Sequence, residues 1–225
     1  MRSFDPRALD RRQRSNVING LIYPRPIAWV STVASDGTRN LAPFSFFNAF
    51  SFSPPTVGVS PGSRRGIPKD TLANVRATGE FVINLVSASL ADTANATSAE
   101  LAPGVDEWEL AGVTPVASET VAPARVEQAP AALECRVHQI VELGADEPSN
   151  SLVIGRVLRV HVLDHALDEH YLPRPEVLDL VGRMGGDLWA RTRERFILPR
   201  PSDEQPWPVA VDSLRPVSAT PGPDT

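Results

Sequence analysis

The sequence predicts a mainly β protein with short helices, in which the strands form a closed or half-closed sheet. Segments rich in β-branched and aromatic residues outnumber segments with helical periodicity. Turn signals separate these segments at a spacing that suits antiparallel hairpins. The chain also lacks a βαβ series with a G-x-G-x-x-G fingerprint, which disfavours a dinucleotide-binding α/β fold.

The first strands follow from residue type and turn chemistry. Residues 27–33 (IAWVSTV) predict a strand, and Asp36-Gly37 is a strong hairpin signal after it. Residues 40–50 return as a second strand or extended segment. The run 53–55 (SPP) ends that segment, and residues 56–60 form a short third strand.

A loop and a short helix come next. Residues 61–69 predict the loop, and Asp70 or Thr71 is suited to cap a helix that runs to about residue 76. Gly79 is suited to end that helix, because glycine adopts the left-handed conformation of a helix C-cap.

The remaining elements alternate between strands and one helix. Residues 81–86 predict a strand, and the alanine-rich run 87–100 predicts a second helix. Residues 133–141 predict a strand by their alternation, with Glu134 on the polar face and Cys135 on the apolar face. Residues 152–162 form the longest predicted strand.

The domain organisation is simple. Residues 1–17 are polar and arginine-rich and predict an N-terminal arm or short helix outside the core. Residues 18–198 form one domain, and residues 199–225 are a proline-rich C-terminal tail.

Composition narrows the classes of partner and compartment. The net charge of −5 and the pI of about 5.4 disfavour a nucleic-acid partner. No stretch approaches the length of a membrane span, which predicts no membrane partner. A lone cysteine and an N-terminus without an apolar signal segment predict a cytoplasmic protein. The four histidines lack metal-ligand spacing, so we expect no metal site.

The densest polar cluster is typical of phosphate binding. The loop 60–66 (SPGSRRG) offers hydroxyls, guanidinium groups and backbone N–H groups, with Ser60, Ser63 and Arg64 as candidates. Lys69 follows at a helix start, where partial positive charge favours anions. The alternative is a solvated loop with an ordinary helix cap.

An aromatic cluster precedes this loop. Residues 42–50 hold four phenylalanines, whose faces are suited to stack on a flat ring. Ser45 or Asn48 is suited to read the edge of that ring. The alternative is that these phenylalanines belong to the core. A flat, phosphorylated ligand would use both clusters together.

Two long runs and several shorter ones resemble a known family. The long runs are YPRPIAWVSTVASDGTRNLAPFSFFNAFSFSPPTVGVS and KDTLANVRATGEFVINLV. The shorter ones are VDEWELAGVTP, LECRVHQIVELG, VIGRVLRVHV and GRMGGDLWARTRERF. Together they resemble the flavin-reductase-like FMN-binding family over roughly residues 18–198. This resemblance implies an FMN-binding split β-barrel and a homodimer with FMN in a groove at the subunit interface.

The resemblance also implies roles for individual residues. The wall of the flavin ring and ribityl chain would come from the first two segments, namely Arg25, Pro26, Ile27, Ser45, Phe46 and Asn48. The phosphate side would come from the loop and helix start, namely Ser60, Ser63, Arg64, Lys69, Asp70 and Thr71. Trp189 stands where the family usually has a tyrosine, and it would cover the flavin or the nicotinamide.

The implied activity is NAD(P)H-dependent flavin reduction, with FMN as cofactor and NADH or NADPH as electron donor. A monooxygenase or another redox protein would then take electrons from the reduced flavin. One alternative is an FMN-holding electron carrier without its own nicotinamide activity. Another is a dimeric binding module without flavin, against which the intact phosphate-type loop argues.

Overall fold

A seven-stranded antiparallel sheet organises the chain in the computed structural model, which describes residues 1–64, 67–99, 105–144, 150–198 and 215–216. The side chains of residues 63, 64, 67, 215 and 216 are outside this description. The strands are β1 (Arg25–Pro26), β2 (Ala28–Val33), β3 (Arg39–Phe44), β4 (Phe47–Phe52), β5 (Pro55–Val59), β6 (Ser63–Arg64), β7 (Ile67–Pro68), β8 (Glu80–Leu85), β9 (Pro115–Val116), β10 (Arg125–Val126), β11 (Ala131–Glu142), β12 (Ser151–Val162), β13 (Val181–Arg183), β14 (Trp189–Arg191), β15 (Phe196–Ile197) and β16 (Arg215–Pro216).

The helices are short. They are α1 (Arg11–Leu21), α2 (Asp70–Thr78), α3 (Ala91–Ala96), α4 (Glu107–Ala111) and α5 (Pro175–Leu178), with 3-10 turns at Pro6–Ala8, Ala88–Leu90 and Asp164–Ala166. None of the helices in the described ranges is long and apolar enough to cross a membrane.

The sheet curls until its two edges meet. Its strand order is β3-β2-β8-β11-β12-β5-β4, so β3 and β4 lie at opposite edges. Only Ser45 and Phe46 separate these two strands in the chain. Three Cα steps reach at most about 11 Å, so the edges must come together at this end. The strands therefore form a half-open barrel, as the sequence predicts.

Period-two alternation divides the buried residues of the described chain between two sides of the sheet. On β2, Ala28 and Val30 belong to the cluster inside the barrel, whereas Trp29 belongs to a second cluster outside it. Helix α2 contributes Leu72 and Val75 to the inner cluster. The barrel is therefore filled with side chains, and any ligand must bind at its rim.

Glycine permits one close approach inside the barrel. A Cβ on Gly155 would lie 2.4 Å from Cζ of Phe81, which is fully buried. The Phe81 ring therefore crosses β12 at the glycine.

Several predicted elements differ from the structure. Residues 40–50 are two strands, because the chain turns sharply at Ser45-Phe46 to pass from one sheet edge to the other. The predicted helix over 87–100 is shorter, with a 3-10 turn before α3. Lys69, with no side-chain cap, occupies the N-cap of α2, so Asp70 is the first helical residue. Gly79 ends α2 in the left-handed conformation, as predicted.

Candidate functional site

A cleft of about 430 Å³ lies at the corner where the chain passes from β3 to β4. Six residues that the sequence singles out line it, namely Arg25, Pro26, Ser45, Phe46, Asn48 and Ser60. The other lining residues are Ile22, Pro24, Phe47, Phe50, Gly58, Leu143, Asn150 and Leu152. Most of these are apolar, so a few polar groups converge on a largely apolar cleft.

Arg25 is the positive charge of the cleft. Its guanidinium donates to the carbonyls of Asn19 (2.7 Å), Ile22 (2.6 Å) and Met184 (3.0 Å), and to Oγ of Ser45 (3.2 Å). None of these acceptors is charged, and no carboxylate in the described ranges pairs with it. Burial, with the nearby charge of Arg183, lowers the pKa of Arg25, but an arginine remains protonated at neutral pH. A buried cation without a counter-charge attracts an anionic or electron-rich ligand.

Ser60 supplies a polar group without a protein partner. The residue is 7% exposed, and its Oγ makes no hydrogen bond within the described chain. The backbone is fixed, because the N–H of Ser60 donates to the carbonyl of Phe46 at 2.9 Å. An unsatisfied buried hydroxyl costs free energy, and a ligand in the cleft is one way to satisfy it.

The phosphate-type loop begins at the edge of the cleft. Its backbone forms the small hairpin β6–β7 immediately before α2. The side chains of Ser63 and Arg64 lie outside the described residues. Lys69 has its Nζ 5.2 Å from the centre of the Phe44 ring. The phosphate roles of these residues remain predictions.

The residues at the start of α2 differ in exposure. Asp70 is exposed, whereas Thr71 is 1% exposed and its Oγ1 accepts a hydrogen bond from Nδ2 of Asn40 at 3.0 Å. The same amide donates to Thr32, which also accepts from Asn74. The Thr71 side chain therefore takes part in a buried polar network between α2 and the sheet. Its backbone N–H is the group that remains suited to an anion.

Trp189 lies beside the cleft residues but does not line the cleft. It is partly buried and packs against the outer core cluster, with the Arg183 guanidinium 5.3 Å from its ring centre. Ile27 is buried in the same cluster. The covering role of Trp189 remains a prediction.

Glycine at position 185 permits a close approach of two backbone segments. A Cβ on Gly185 would lie 2.9 Å from Cα of Gly20, so the glycine permits contact with the end of α1. Together with the bond from Arg25 to Met184, this contact joins α1, the 184–188 turn and the cleft.

The sequence interpretation missed Asn150 as a lining residue and named Phe50 only as one of the phenylalanines suited to stack on a ring. Phe50 is one of four neighbouring phenylalanines, and nothing in the pattern distinguishes it from the others. Asn150 directly precedes β12, far along the chain from the other candidates, and its Oδ1 lies against the backbone of Gly62. Only the pairing of β12 with β5 brings it to the cleft.

The cleft suits a planar ligand whose ring carries polar atoms at its edge. The unpartnered Ser60 hydroxyl and the Arg25 charge suit polar edge atoms of a ring. The apolar lining suits the faces of the ring. By contrast, no three His, Cys, Asp or Glu side chains of the described part are placed to hold a metal ion.

A second buried polar cluster lies on β11, around Glu134. Its carboxylate is 0% exposed and accepts hydrogen bonds from the N–H groups of Glu119 (2.8 Å) and Thr120 (2.6 Å) and from Oγ1 of Thr120 (2.5 Å). Nε2 of His161 lies 2.7 Å from the same carboxylate. Burial by itself would raise the pKa of Glu134, but the hydrogen bonds from Thr120, Glu119 and His161 outweigh it and lower the pKa to about 2.

Comparison with known proteins gives one family. The model described as the flavin reductase like domain matches residues 20–180. Nitrilotriacetate monooxygenase component B from Bacillus cereus is 35% identical, with a TM-score of 0.84 over 88% of this chain and 98% of that one. The 2-nitrobenzoate 2-nitroreductase of Pseudomonas fluorescens is 28% identical, with a TM-score of 0.82 over 93% of this chain and 100% of that one. A flavin reductase with a split barrel domain, from Shewanella frigidimarina, is 25% identical, with a TM-score of 0.77 over 87% of this chain and 96% of that one.

Proposed function

We propose that this chain, which belongs to the flavin reductase-like family and has its split-barrel fold, is an NAD(P)H-dependent flavin oxidoreductase that holds FMN in the Arg25–Ser60 cleft. The observation that carries the proposal is the buried Ser60 hydroxyl, which has no partner among the described residues, at a largely apolar cleft. The similarity to a monooxygenase component and to a nitroreductase supports a redox role.

The contribution of the protein would be binding, orientation and exclusion of water. Bound FMN supplies the redox chemistry, because its ring accepts electrons from a reduced nicotinamide and passes them on. Arg25 would favour the electron-rich edge of that ring, since its charge is buried and has no counter-charge among the residues that the structure describes. Ser60 would hydrogen-bond the ligand, and Phe46, whose ring centre is 6.0 Å from Arg25 Cζ, would shield one side from water.

A homodimer is part of the proposal. Apolar side chains are exposed on β4 and β12, the two strands that pair with β5, including Phe52 (93%) on β4 and Val160 (59%) on β12. Such groups are typical of a surface that another subunit covers. A cytoplasmic location is also proposed, since the single cysteine, Cys135, is buried on its strand and has no partner for a disulfide.

The transfer of electrons to a partner protein is the finer part of the proposal. The likeness to component B of a monooxygenase, at 35% identity, favours a monooxygenase as that partner. The likeness to a nitroreductase favours a second candidate, in which a nitroaromatic compound takes the electrons directly.

The test is the absorbance spectrum of the purified protein, followed by anaerobic mixing with NADH and with NADPH. We expect a flavin spectrum after incubation with FMN, and bleaching of that spectrum much faster than for free FMN in the same buffer. Subsequent addition of 2-nitrobenzoate separates the two acceptors, because reoxidation without oxygen favours the nitroaromatic one. Protein that binds FMN but is reduced by neither nicotinamide would instead be an electron carrier.

A further inference from the structure

Phe50 occupies an irregular position on β4. Ala49 pairs with Val57 and Ser51 pairs with Thr56, so Phe50 is an extra residue between two paired neighbours. This is a β-bulge, and bulges redirect a side chain away from the regular alternation of the strand. Phe50 is 65% exposed and lines the cleft, whereas Phe52, two residues further along, is 93% exposed and does not.

Gly58 lies beneath the redirected ring. A Cβ at this position would lie 2.6 Å from Cε2 and 3.1 Å from Cδ2 of Phe50, and 3.2 Å from Cδ1 of Leu152. Any other residue would therefore push the ring away. The bulge and the glycine together hold the Cδ2–Cε2 edge of the Phe50 ring against the strand backbone and leave the rest of the ring exposed.

The remainder of the cleft indicates what the ring would contact. Arg25 and Ser60 supply polar groups to the same cleft, so an occupant carries both polar atoms and an apolar surface. A flat aromatic ring with polar edge atoms has this chemistry, and aromatic rings stabilise one another by offset stacking or edge contacts. Nothing in the sequence pattern separates Phe50 from its neighbours for this role.

We propose that Phe50, held on Gly58 by the bulge in β4, is a shelf for a planar heteroaromatic ring and determines which rings the cleft accepts. The ring can come from a flavin or from a nicotinamide. The flavin assignment rests on the proposed function, whereas the shelf itself does not. Because the shelf contacts the ring, its effect on flavins is independent of the phosphate.

The experiment compares Phe50→Ala, Gly58→Ala, the double variant Phe50→Ala/Gly58→Ala and the matched control Phe196→Ala. Phe196 on β15 is 59% exposed and does not line the cleft. The dissociation constants of FMN, lumiflavin and NADH are measured by equilibrium dialysis for each protein, with thermal midpoints as a check of folding. We expect Phe50→Ala to weaken the binding of FMN and lumiflavin by the same factor, about two- to tenfold. Phe196→Ala should bind both flavins as the wild type does.

Gly58→Ala keeps the Phe50 ring but displaces it. This variant should therefore weaken the binding of the same ligands as Phe50→Ala does. In the Phe50→Ala background it should add little further loss, because the contact with the ring is gone and only the end of the Leu152 side chain, at 3.2 Å, has to move. An effect on NADH alone supports the shelf and assigns it to the nicotinamide.

Two further outcomes separate this inference from the proposed function. If the wild type binds flavins and Phe50→Ala leaves all three ligands unchanged, the shelf is overturned and the flavin function stands. If the wild type binds NADH in a Phe50-dependent way but no flavin, the function fails and the shelf stands. A wild type that binds none of the three ligands overturns both.

Discussion

Two buried polar regions of this molecule differ in how completely they are satisfied. On β11, the Glu134 carboxylate is fully enclosed and accepts three hydrogen bonds from the 119–120 segment, with His161 beside it. At the β3–β4 corner, the Ser60 hydroxyl is equally hidden but has no partner in the described chain. Arg25 nearby donates only to uncharged oxygens.

The difference separates structure from function. A buried charge with all of its hydrogen bonds made holds a loop onto a sheet and needs nothing further. Buried polar groups without a partner or counter-charge destabilise the folded protein, and a ligand that pairs with them removes this destabilisation. We therefore expect substitutions in the Glu134 cluster to change stability, and substitutions at the cleft to change binding.

The largest expected effect is that of Glu134→Gln on stability. Neutralising the carboxylate places an amide N–H₂ among hydrogen-bond donors, and we expect a loss of roughly 3 kcal/mol in the free energy of unfolding. Urea denaturation measures this loss. Glu169→Gln is the control, because Glu169 is exposed and lies beside the exposed His170, and its midpoint should stay close to that of the wild type. Equal losses in the two variants would contradict the comparison.

The same stabilisation should titrate with pH. The pKa of Glu134 is lowered from 4.5 to about 2 in the folded protein, so the unfolded chain binds its proton first as the pH falls. The contribution of Glu134 is therefore complete above about pH 4.5 and is lost as the pH falls towards 2. Other carboxylates also titrate in this range, so the informative quantity is the difference between wild type and Glu134→Gln. That difference should stay constant down to about pH 5 and then shrink between about pH 5 and pH 2 in urea denaturation, and a difference that stays constant throughout would contradict the assigned pKa.

Lys69→Ala tests the phosphate side of the cleft region. A charge-assisted hydrogen bond to phosphate is worth roughly 1.5–3 kcal/mol, so FMN should bind about ten- to hundredfold more weakly. Riboflavin lacks the phosphate, and its affinity should be nearly unchanged. Flavin fluorescence titration gives both constants, and the sequence predicts the same result for Arg64→Ala. Equal losses for the two flavins would mean that Lys69 acts through folding.

Ser60→Ala gives the smallest effect and the sharpest test of the comparison. This hydroxyl has no partner in the described chain, so its removal should leave the thermal midpoint unchanged. It should weaken FMN binding roughly two- to tenfold. Ser31→Ala is the opposite case, because Oγ of Ser31 donates to the carbonyl of Ala124 at 2.5 Å. That variant should lose stability and keep its flavin affinity. A destabilised Ser60→Ala protein would show that the hydroxyl has a structural partner after all.

Much of the fold could be predicted from local patterns. Asp36-Gly37 joins β2 and β3 as expected, and Gly79 ends α2 with a φ of 72°. The single strand predicted over 40–50 was wrong, because apolar alternation continues through a corner that depends on which sheet edge each half joins. Likewise, alternation put Glu134 on a polar face but could not tell whether solvent or a distant loop would cover that face.

The candidate site was partly predictable for the same reason. Ser45, Phe46, Asn48 and Ser60 fall within two nearby segments of unusual composition, the resemblance implied Arg25, and the cleft brings these residues together. Asn150 and Leu152 arrive from ninety or more residues later through strand pairing, which leaves no local signal. The ring of Phe50 is positioned by a bulge that depends on the partner strand.

By itself, the sequence determined the mainly β architecture and the segments that carry the polar and aromatic groups, because hydrophobic periodicity and turn residues act over a few positions. The tertiary structure alone decided which polar groups are satisfied. The Glu134 carboxylate finds donors fourteen and fifteen residues away and His161 on the next strand, whereas the Ser60 hydroxyl finds none in the described chain. Hydrogen bonds act over about 3 Å, so their completeness depends on how distant segments pack.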